Sequence, residues 1–85
     1  MDFIKEENRI YLKNEQNEII AQITFNEIKD GIYDINHTFV DESLRGKGIA
    51  KLLVEEAIQE IKMKKGKIVA SCSYAKKYLE KNNIK

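Results

Sequence analysis

The residues best suited to chemistry are two glycines between basic side chains, in the segment Arg45-Gly46-Lys47-Gly48-Ile49-Ala50. A helical period begins at Ile49, so the glycines stand directly before a helix amino terminus. The first amides of a helix lack intrahelical partners, and glycines before them allow several amides to converge on one anion. Arg45 and Lys47 add positive charge, and the helix dipole acts in the same direction. The pattern predicts a phosphate-binding turn.

The known glycine motifs for nucleotides do not fit this turn. A dinucleotide-binding fingerprint would need a third glycine where Lys51 stands, and a Walker loop would need Gly-Lys-Ser/Thr after four intervening residues. The residues alone therefore do not name the phosphate ligand. A two-glycine turn before an ordinary helix, without any ligand, is the alternative that they leave open.

Cys72 and His37 are the first candidates for proton or group transfer. Cys72 is predicted to lie between a strand and a short helix capped by Ser73, where the helix end lowers the pKa of a thiol. His37 lies near the end of a predicted strand and could accept a proton at neutral pH. The two could approach each other if their strands are neighbours. The alternatives are a small apolar filler for Cys72 and a packed core histidine bonded to a backbone carbonyl for His37.

Two tyrosines and two lysines are further candidates. Tyr74 and Tyr78 are four residues apart on one face of the last predicted helix, and either hydroxyl could protonate a leaving group. At least one of them is expected to pack in the core with a polar tip. Lys51 and Lys76 are candidates for contacts with phosphate groups.

Three segments of the first half have the two-residue period of strands. A short strand around Ile10–Leu12 and a polar turn at Asn14–Asn17 predict a hairpin with Ile19–Phe25. Asn26–Gly31 interrupts the alternation, and Ile32–Val40 resumes it. The apolar face of this third strand is predicted to carry Tyr33, Ile35, His37 and Phe39. Together these three strands predict an antiparallel meander.

The second half changes to a helical period. Apolar residues recur at three- and four-residue spacings from Ile49 onward for about four turns, and Gly66 is predicted to end this helix in the left-handed conformation. Lys67–Ser71 is predicted as a buried strand, parallel to Ile32–Val40 through a right-handed crossover. Tyr74–Lys81 is predicted as a final short helix. The expected fold is α+β, with a mixed sheet formed by the meander and the strand-helix-strand crossover.

Length and charge exclude several classes of protein. With 85 residues and 42% hydrophobic content, one domain over residues 1–85 is expected. The net charge of +1 argues against nucleic-acid or membrane partners, although four lysines surround Gly66. One cysteine and one histidine make neither an internal disulfide nor a structural zinc site, so no metal is expected. A charged start without a long apolar stretch predicts a cytoplasmic protein.

The segment Arg45-x-x-Gly48-x-Ala50, after a strand and opening an amphipathic helix, resembles the acetyl-CoA signature Gln/Arg-x-x-Gly-x-Gly/Ala of GNAT acetyltransferases. The stretch His37–Tyr78, with Cys72-Ser73-Tyr74, is similar to the small single-domain YjdJ-type subgroup. The resemblance covers the second half of the chain strongly, whereas the first half agrees only in pattern.

This resemblance implies a GNAT-like fold that binds acetyl-CoA or coenzyme A. The pyrophosphate would lie on the amides from Arg45 to Ala50 beside Lys51, and the pantetheine arm would pair with Thr38, Phe39 and Val40 in a gap between splayed strands. It implies N-acyl transfer to an amine, with Cys72, His37 and Tyr74 as the catalytic candidates.

Larger GNAT enzymes build much of the acceptor site from amino-terminal helices that this sequence does not predict. A non-catalytic CoA-binding or acyl-CoA-binding module, or an accessory subunit, is therefore the alternative. A small nucleic-acid-binding protein that uses the lysines around Gly66 is a third interpretation.

Overall fold

The chain folds into a five-stranded sheet with two helices packed on it. The structure, a computed structural model, describes residues 2–82. Its elements are β1 (Ile4–Lys5), β2 (Arg9–Lys13), β3 (Ile19–Lys29), β4 (Ile32–Val40), a 3₁₀ turn (Glu42–Leu44), α1 (Ile49–Met63), β5 (Lys67–Ala70) and α2 (Ser73–Lys81). The strands lie in chain order; β1 to β4 pair antiparallel, and β5 pairs parallel with β4. The predicted α+β fold, with its meander and crossover, is confirmed. No helix within residues 2–82 is long and apolar enough to cross a membrane.

The core lies between one face of the sheet and the apolar stripe of α1. Its largest fully buried side chains are Ile10, Ile23, Phe25 and Ile35 from the strands and Ile49, Leu53, Val54 and Ile61 from α1. Successive strand residues point to opposite faces, so Gln22 and Thr24 lie on the other, open face of the sheet. Residues 2–40 form strands and turns without a helix, so they leave this face uncovered.

A β-bulge in β4 reverses the predicted alternation. Phe25 pairs with Ile35 and Thr24 pairs with His37, so Asn36 is one extra residue in β4. Beyond it, Thr38 and Val40 turn toward the helices. His37 and Phe39 turn toward the open face. The prediction that they share a face with Tyr33 and Ile35 is wrong, because an inserted residue shifts the two-residue period and leaves no signal in hydrophobicity.

One additional strand and one strand boundary also differ from the prediction. β1 was not predicted; its short segment pairs with β2 and has both residues exposed. β3 continues through Asn26 to Lys29, where an interruption is predicted, and the chain turns at Asp30 and Gly31. The long ladder with β4 holds this exposed segment in a strand, because cross-strand pairing overrides the weak strand propensity of its polar residues Asn26, Glu27 and Lys29.

At the carboxyl end of α1, Gly66 has a different role from the predicted one. Lys65 adopts the left-handed conformation with φ 58°, and Gly66 does not. The Gly66 amide donates to the Ile61 carbonyl at 2.9 Å, and the Lys65 amide donates to Lys62 at 2.9 Å. A β carbon on Gly66 would lie 2.6 Å from Cδ1 of Tyr33. Glycine is therefore required here for close packing.

Candidate functional site

The loop after β4 is fixed by a capped 3₁₀ turn. The Asp41 carboxylate accepts hydrogen bonds from the Ser43 hydroxyl at 2.6 Å and from the Ser43 amide at 3.0 Å. These bonds, with the nearby charge of Arg45, hold the pKa of Asp41 below its ordinary value against a smaller effect of burial. The Arg45 amide then donates to the Glu42 carbonyl at 3.1 Å, which brings the chain to the glycine turn.

Both glycines of the turn have left-handed backbone conformations. Gly46 has φ 81°, and Gly48, the N-cap residue of α1, has φ 73°. A β carbon at either position would meet no other atom within 4 Å. Glycine is needed for the backbone conformation, because an L-residue is strained there. Such left-handed residues allow consecutive amides to face one side, as in anion-binding concavities.

The amides at the start of α1 lack partners. Within residues 2–82, no group accepts a hydrogen bond of ordinary geometry from the amides of Gly46 through Lys51. Gly48 provides no side-chain cap, and the first turn of α1 contains no acidic residue. Arg45 and Lys47 are exposed and form no ion pair with the described carboxylates. This helix end therefore keeps an uncompensated positive potential, which suits an anionic ligand.

A cavity of about 370 Å³ opens over these amides and extends to the edge of β4. It is lined by Thr38, Val40, Leu44, Arg45, Gly46, Gly48, Ile49, Ala50, Lys51 and Tyr74. Of the residues predicted to contact the cofactor, Phe39 and Lys47 do not line it. Leu44 was missed because an apolar side chain in a turn carries no signal for ligand binding.

The cavity extends along β4 into a gap, which is the space beside β4 beyond the end of β5. The ladder between these strands ends at Ile35 and Ala70, whereas β4 runs on to Val40. The Asp41 amide donates to Ile20 on β3 at 2.8 Å, so by alternation the peptide groups of Val40 and Thr38 face the gap. The Ser71 and Cys72 amides still donate to the Ile35 carbonyl, at 3.2 and 3.1 Å, so the gap begins where β5 ends and the chain turns into α2. The divergence of the two strands that the resemblance implies stays a prediction.

Cys72 lies at the mouth of this gap, as the N-cap residue of α2. The prediction that Ser73 is the cap is wrong by one residue, since Ser73 already begins the helix. The Cys72 sulfur lies 3.5 Å from the Thr38 hydroxyl. Burial raises the pKa of the Cys72 thiol, but the nearby Ala75 and Tyr74 amides, which form no cap hydrogen bond of ordinary geometry with the sulfur, and the contact with Thr38 together lower it below its ordinary value.

The family model described as GCN5-related N-acetyl-transferase matches residues 9–84. The chain belongs to this family. As a GNAT chain it resembles a GCN5-like protein from Staphylococcus aureus, solved by NMR, with 33% identity and a TM-score of 0.79 over 96% of this chain and 80% of that one.

Two larger acetyltransferase structures are also similar. An acetyltransferase from Bacillus cereus has 26% identity and a TM-score of 0.69 over 86% of this chain and 56% of that one. A GNAT acetyltransferase from Elizabethkingia anophelis, with acetyl-CoA bound, has 24% identity and a TM-score of 0.67 over 88% and 51%. The chain thus spans little more than half the length of these two relatives. No curated protein matches its sequence significantly.

His37 and Phe39 of this GNAT chain lie on the open face of the sheet, and both are exposed. Cys72 contacts Thr38, which faces the helices, so the structure places His37 and Cys72 on opposite faces instead of together. The alternative of a packed core histidine is also wrong. The bulge at Asn36 causes both differences.

The two tyrosines of α2 have different surroundings. The Tyr78 hydroxyl donates to Oε2 of Glu55 at 2.9 Å, and burial together with this carboxylate raises the pKa of Tyr78. Tyr78 packs against the core, as expected for one of the pair. Tyr74 is 44% exposed and lines the cavity. Lys51 also lines the cavity, whereas Lys76 does not.

Proposed function

We propose that this GNAT chain binds acetyl-CoA and transfers the acetyl group to an amine. The observation that carries the proposal is the set of unpaired amides from Gly46 to Lys51, open to a cavity that reaches the edge of β4. We further propose that residues 1–85 form one acetyl-CoA-binding domain of the small YjdJ-type subgroup, whose Cys72-Ser73-Tyr74 stretch the chain carries.

The cavity fits two chemically different parts of coenzyme A. The doubly charged pyrophosphate suits the amides of the glycine turn, beside Arg45 and Lys51. The pantetheine arm carries two amide groups, which suit the peptide groups of Thr38 and Val40 because these have no strand partner in the gap. Related structures from E. anophelis and Mycobacterium tuberculosis contain acetyl-CoA and CoA, respectively, which supports this ligand class.

Direct transfer needs one attack on the thioester carbonyl. The neutral amine nitrogen forms a bond to the carbonyl carbon, the carbon–sulfur bond breaks, and the nitrogen loses a proton. The departing thiolate of CoA takes up a proton, for which the Tyr74 hydroxyl beside the cavity is the proposed donor.

Cys72 offers a two-step route to the same product. Its thiolate, favoured by the lowered pKa, attacks the thioester carbonyl to form an acyl-cysteine, and the CoA thiolate leaves and is protonated. The amine then attacks the acyl-cysteine, loses a proton and releases Cys72. Thr38 stabilises the thiolate through its hydroxyl.

We propose that the acceptor amine approaches from the open face of the sheet. His37 lies there, where β4 has separated from β5, and can accept the proton of the amine without contacting Cys72. This assigns His37 to the acceptor side and Cys72 to the cofactor side of the gap.

A non-catalytic acyl-CoA-binding module is the second candidate. It is favoured by the uncovered open face, because residues 2–40 supply strands and no helix to enclose an acceptor. A partner protein would then provide what this face lacks.

Titration with acetyl-CoA, followed by amide chemical shifts, tests the binding. We expect saturable shifts at Gly46–Lys51 and at Thr38–Val40; shifts spread over the lysines around Gly66 instead would contradict the proposal. Turnover over a panel of amines then separates enzyme from module. Binding without any acetylated product favours the module, and full turnover by Cys72→Ala rules out the acyl-cysteine route.

A further inference from the structure

A second cavity, of about 310 Å³, lies beside the first, along α2. Lys51 and Tyr74 line both cavities, so the two meet across these side chains. The remaining lining residues belong to α2 and its carboxyl end, namely Lys77, Tyr78, Lys81 and Asn82. The volume is at the lower end of the roughly 300–1,000 Å³ typical of small-molecule sites.

The lining residues form one stripe of α2. Positions 74, 77, 78 and 81 follow three- and four-residue spacings and therefore share a face of the helix. Lys76 lies outside this stripe. The dipole of α2 accounts for Lys81 in the last turn, but it does not account for Lys77 one turn earlier.

The charge of this stripe is positive. Lys51, Lys77 and Lys81 contribute three cations, and none forms an ion pair with a carboxylate of residues 2–82. Glu55 is the acidic residue that contacts the stripe, and it accepts the hydrogen bond of the Tyr78 hydroxyl. The three lysines therefore outnumber the one carboxylate that reaches this face.

Coenzyme A has a second charged end, a 3′-phosphorylated adenosine on the far side of the pyrophosphate from the pantetheine arm. We propose that the second cavity binds this end, and that Lys77 and Lys81 bind its 3′-phosphate. This inference rests on the proposed function, which places the pyrophosphate at the glycine turn.

The direction of the ligand follows from the two cavities. Thr38 and Val40 line the first cavity on the side of the gap, whereas Lys51 lines both cavities and stands beside the second one. A pantetheine arm in the gap therefore leaves the adenosine toward the lysine stripe. The stripe would select coenzyme A over analogues that lack the 3′-phosphate.

Dissociation constants for coenzyme A and 3′-dephospho-coenzyme A, measured by calorimetry, test this inference. We expect the parent to prefer coenzyme A by about tenfold or more, the scale of one charge-assisted hydrogen bond. Lys77→Gln/Lys81→Gln should bind both ligands with the weaker affinity. Lys76→Gln removes the same charge from another face of α2 and should keep the full preference.

The outcomes distinguish this inference from the proposed function. Equal affinity of the parent for both ligands overturns the selection of the 3′-phosphate and leaves CoA binding intact, whereas binding of neither ligand overturns both. A retained preference in Lys77→Gln/Lys81→Gln, or an equal loss in Lys76→Gln, also overturns it. Lys77→Gln alone provides a second test if the double variant melts below the assay temperature.

Discussion

The two ends of α1 differ in whether the protein itself supplies hydrogen-bond acceptors for the backbone amides there. At the carboxyl end the amides of Lys64, Lys65 and Gly66 all donate to carbonyls of the last turn, so the end is closed by the chain itself. At the amino end the amides from Gly46 to Lys51 have no acceptor within residues 2–82. A helix end without partners in the protein is available to a ligand, and this contrast supports the proposed binding of CoA at the amino end.

The glycines at the two ends of α1 also differ, both in backbone conformation and in the space around them. Gly46 and Gly48 have left-handed conformations and open space around them, whereas Gly66 has an ordinary conformation and packs against Tyr33. One pair shapes the backbone for a ligand, and the other glycine admits a neighbouring ring. Substitutions should therefore affect binding at one end and stability at the other.

The largest effect is expected from Gly46→Ala/Gly48→Ala. The left-handed conformation costs an L-residue about 1–2 kcal/mol at each site, so the turn should relax and turn its amides away from the ligand. We expect acetyl-CoA affinity to fall by about 100-fold, measured by calorimetry.

Gly31→Ala is the matched control for this prediction. Gly31 has φ 77° and open space, but it lies in the turn between β3 and β4. It should lose the stability expected for one left-handed site, about 1–2 kcal/mol, with unchanged affinity. Equal weakening of binding by Gly31→Ala would show that general destabilisation, and not the turn, causes the effect.

Gly66→Ala should affect stability alone. Its β carbon would lie 2.6 Å from the Tyr33 ring, and such overpacking costs about 1–3 kcal/mol. We expect the free energy of unfolding in denaturant to fall by that amount, while the folded protein binds acetyl-CoA as the parent does.

A double-mutant cycle with Tyr33→Ala isolates the contact. Without the ring, most of the cost of Gly66→Ala should disappear, and only the contact of the β carbon with Cγ2 of Ile61 at 3.0 Å should remain. An unchanged cost in that background would mean that the ring is not the cause.

The smallest effect extends the comparison to the amino end of α2, where Cys72 is the N-cap. Thr38→Val removes a hydroxyl that lowers the pKa of Cys72, whereas the Ala75 and Tyr74 amides remain. The pKa of Cys72 should therefore rise, and alkylation by iodoacetamide at neutral pH should slow by about two- to threefold, as for a weak hydrogen bond. A pH–rate profile that stays in place or moves to lower pH would contradict this role of Thr38.

Much of the fold could be predicted from local patterns. The alternation of β4 gave its bounds of Ile32–Val40, the helical period gave the start of α1 at Ile49, and the crossover rule gave the parallel pairing with β5. The glycine turn was equally readable, because two glycines before an amphipathic helix form a local signal. These features depend on residues near one another in the sequence.

The rest of the site depends on pairing across the sheet. The register with β3 places the bulge at Asn36, and the bulge moves His37 to the open face and turns Thr38 toward Cys72. No periodicity reveals one unpaired residue in a strand. The three- and four-residue spacing along α2 shows that the residues of the lysine stripe share one face of the helix. Their cavity, however, exists because α2 packs beside the start of α1.

The sequence by itself determined a glycine turn before a helix start, which suits an anion, in a small α+β domain, since backbone conformation and helix polarity are set by neighbouring residues. The tertiary structure alone decided which side chains stand around that anion: Thr38 with Cys72 at the gap, Tyr74 and Lys51 between two cavities, and His37 on the far face. Those positions follow from strand register and helix packing, which join residues distant in the sequence, such as Thr38 and Cys72, which are 34 positions apart.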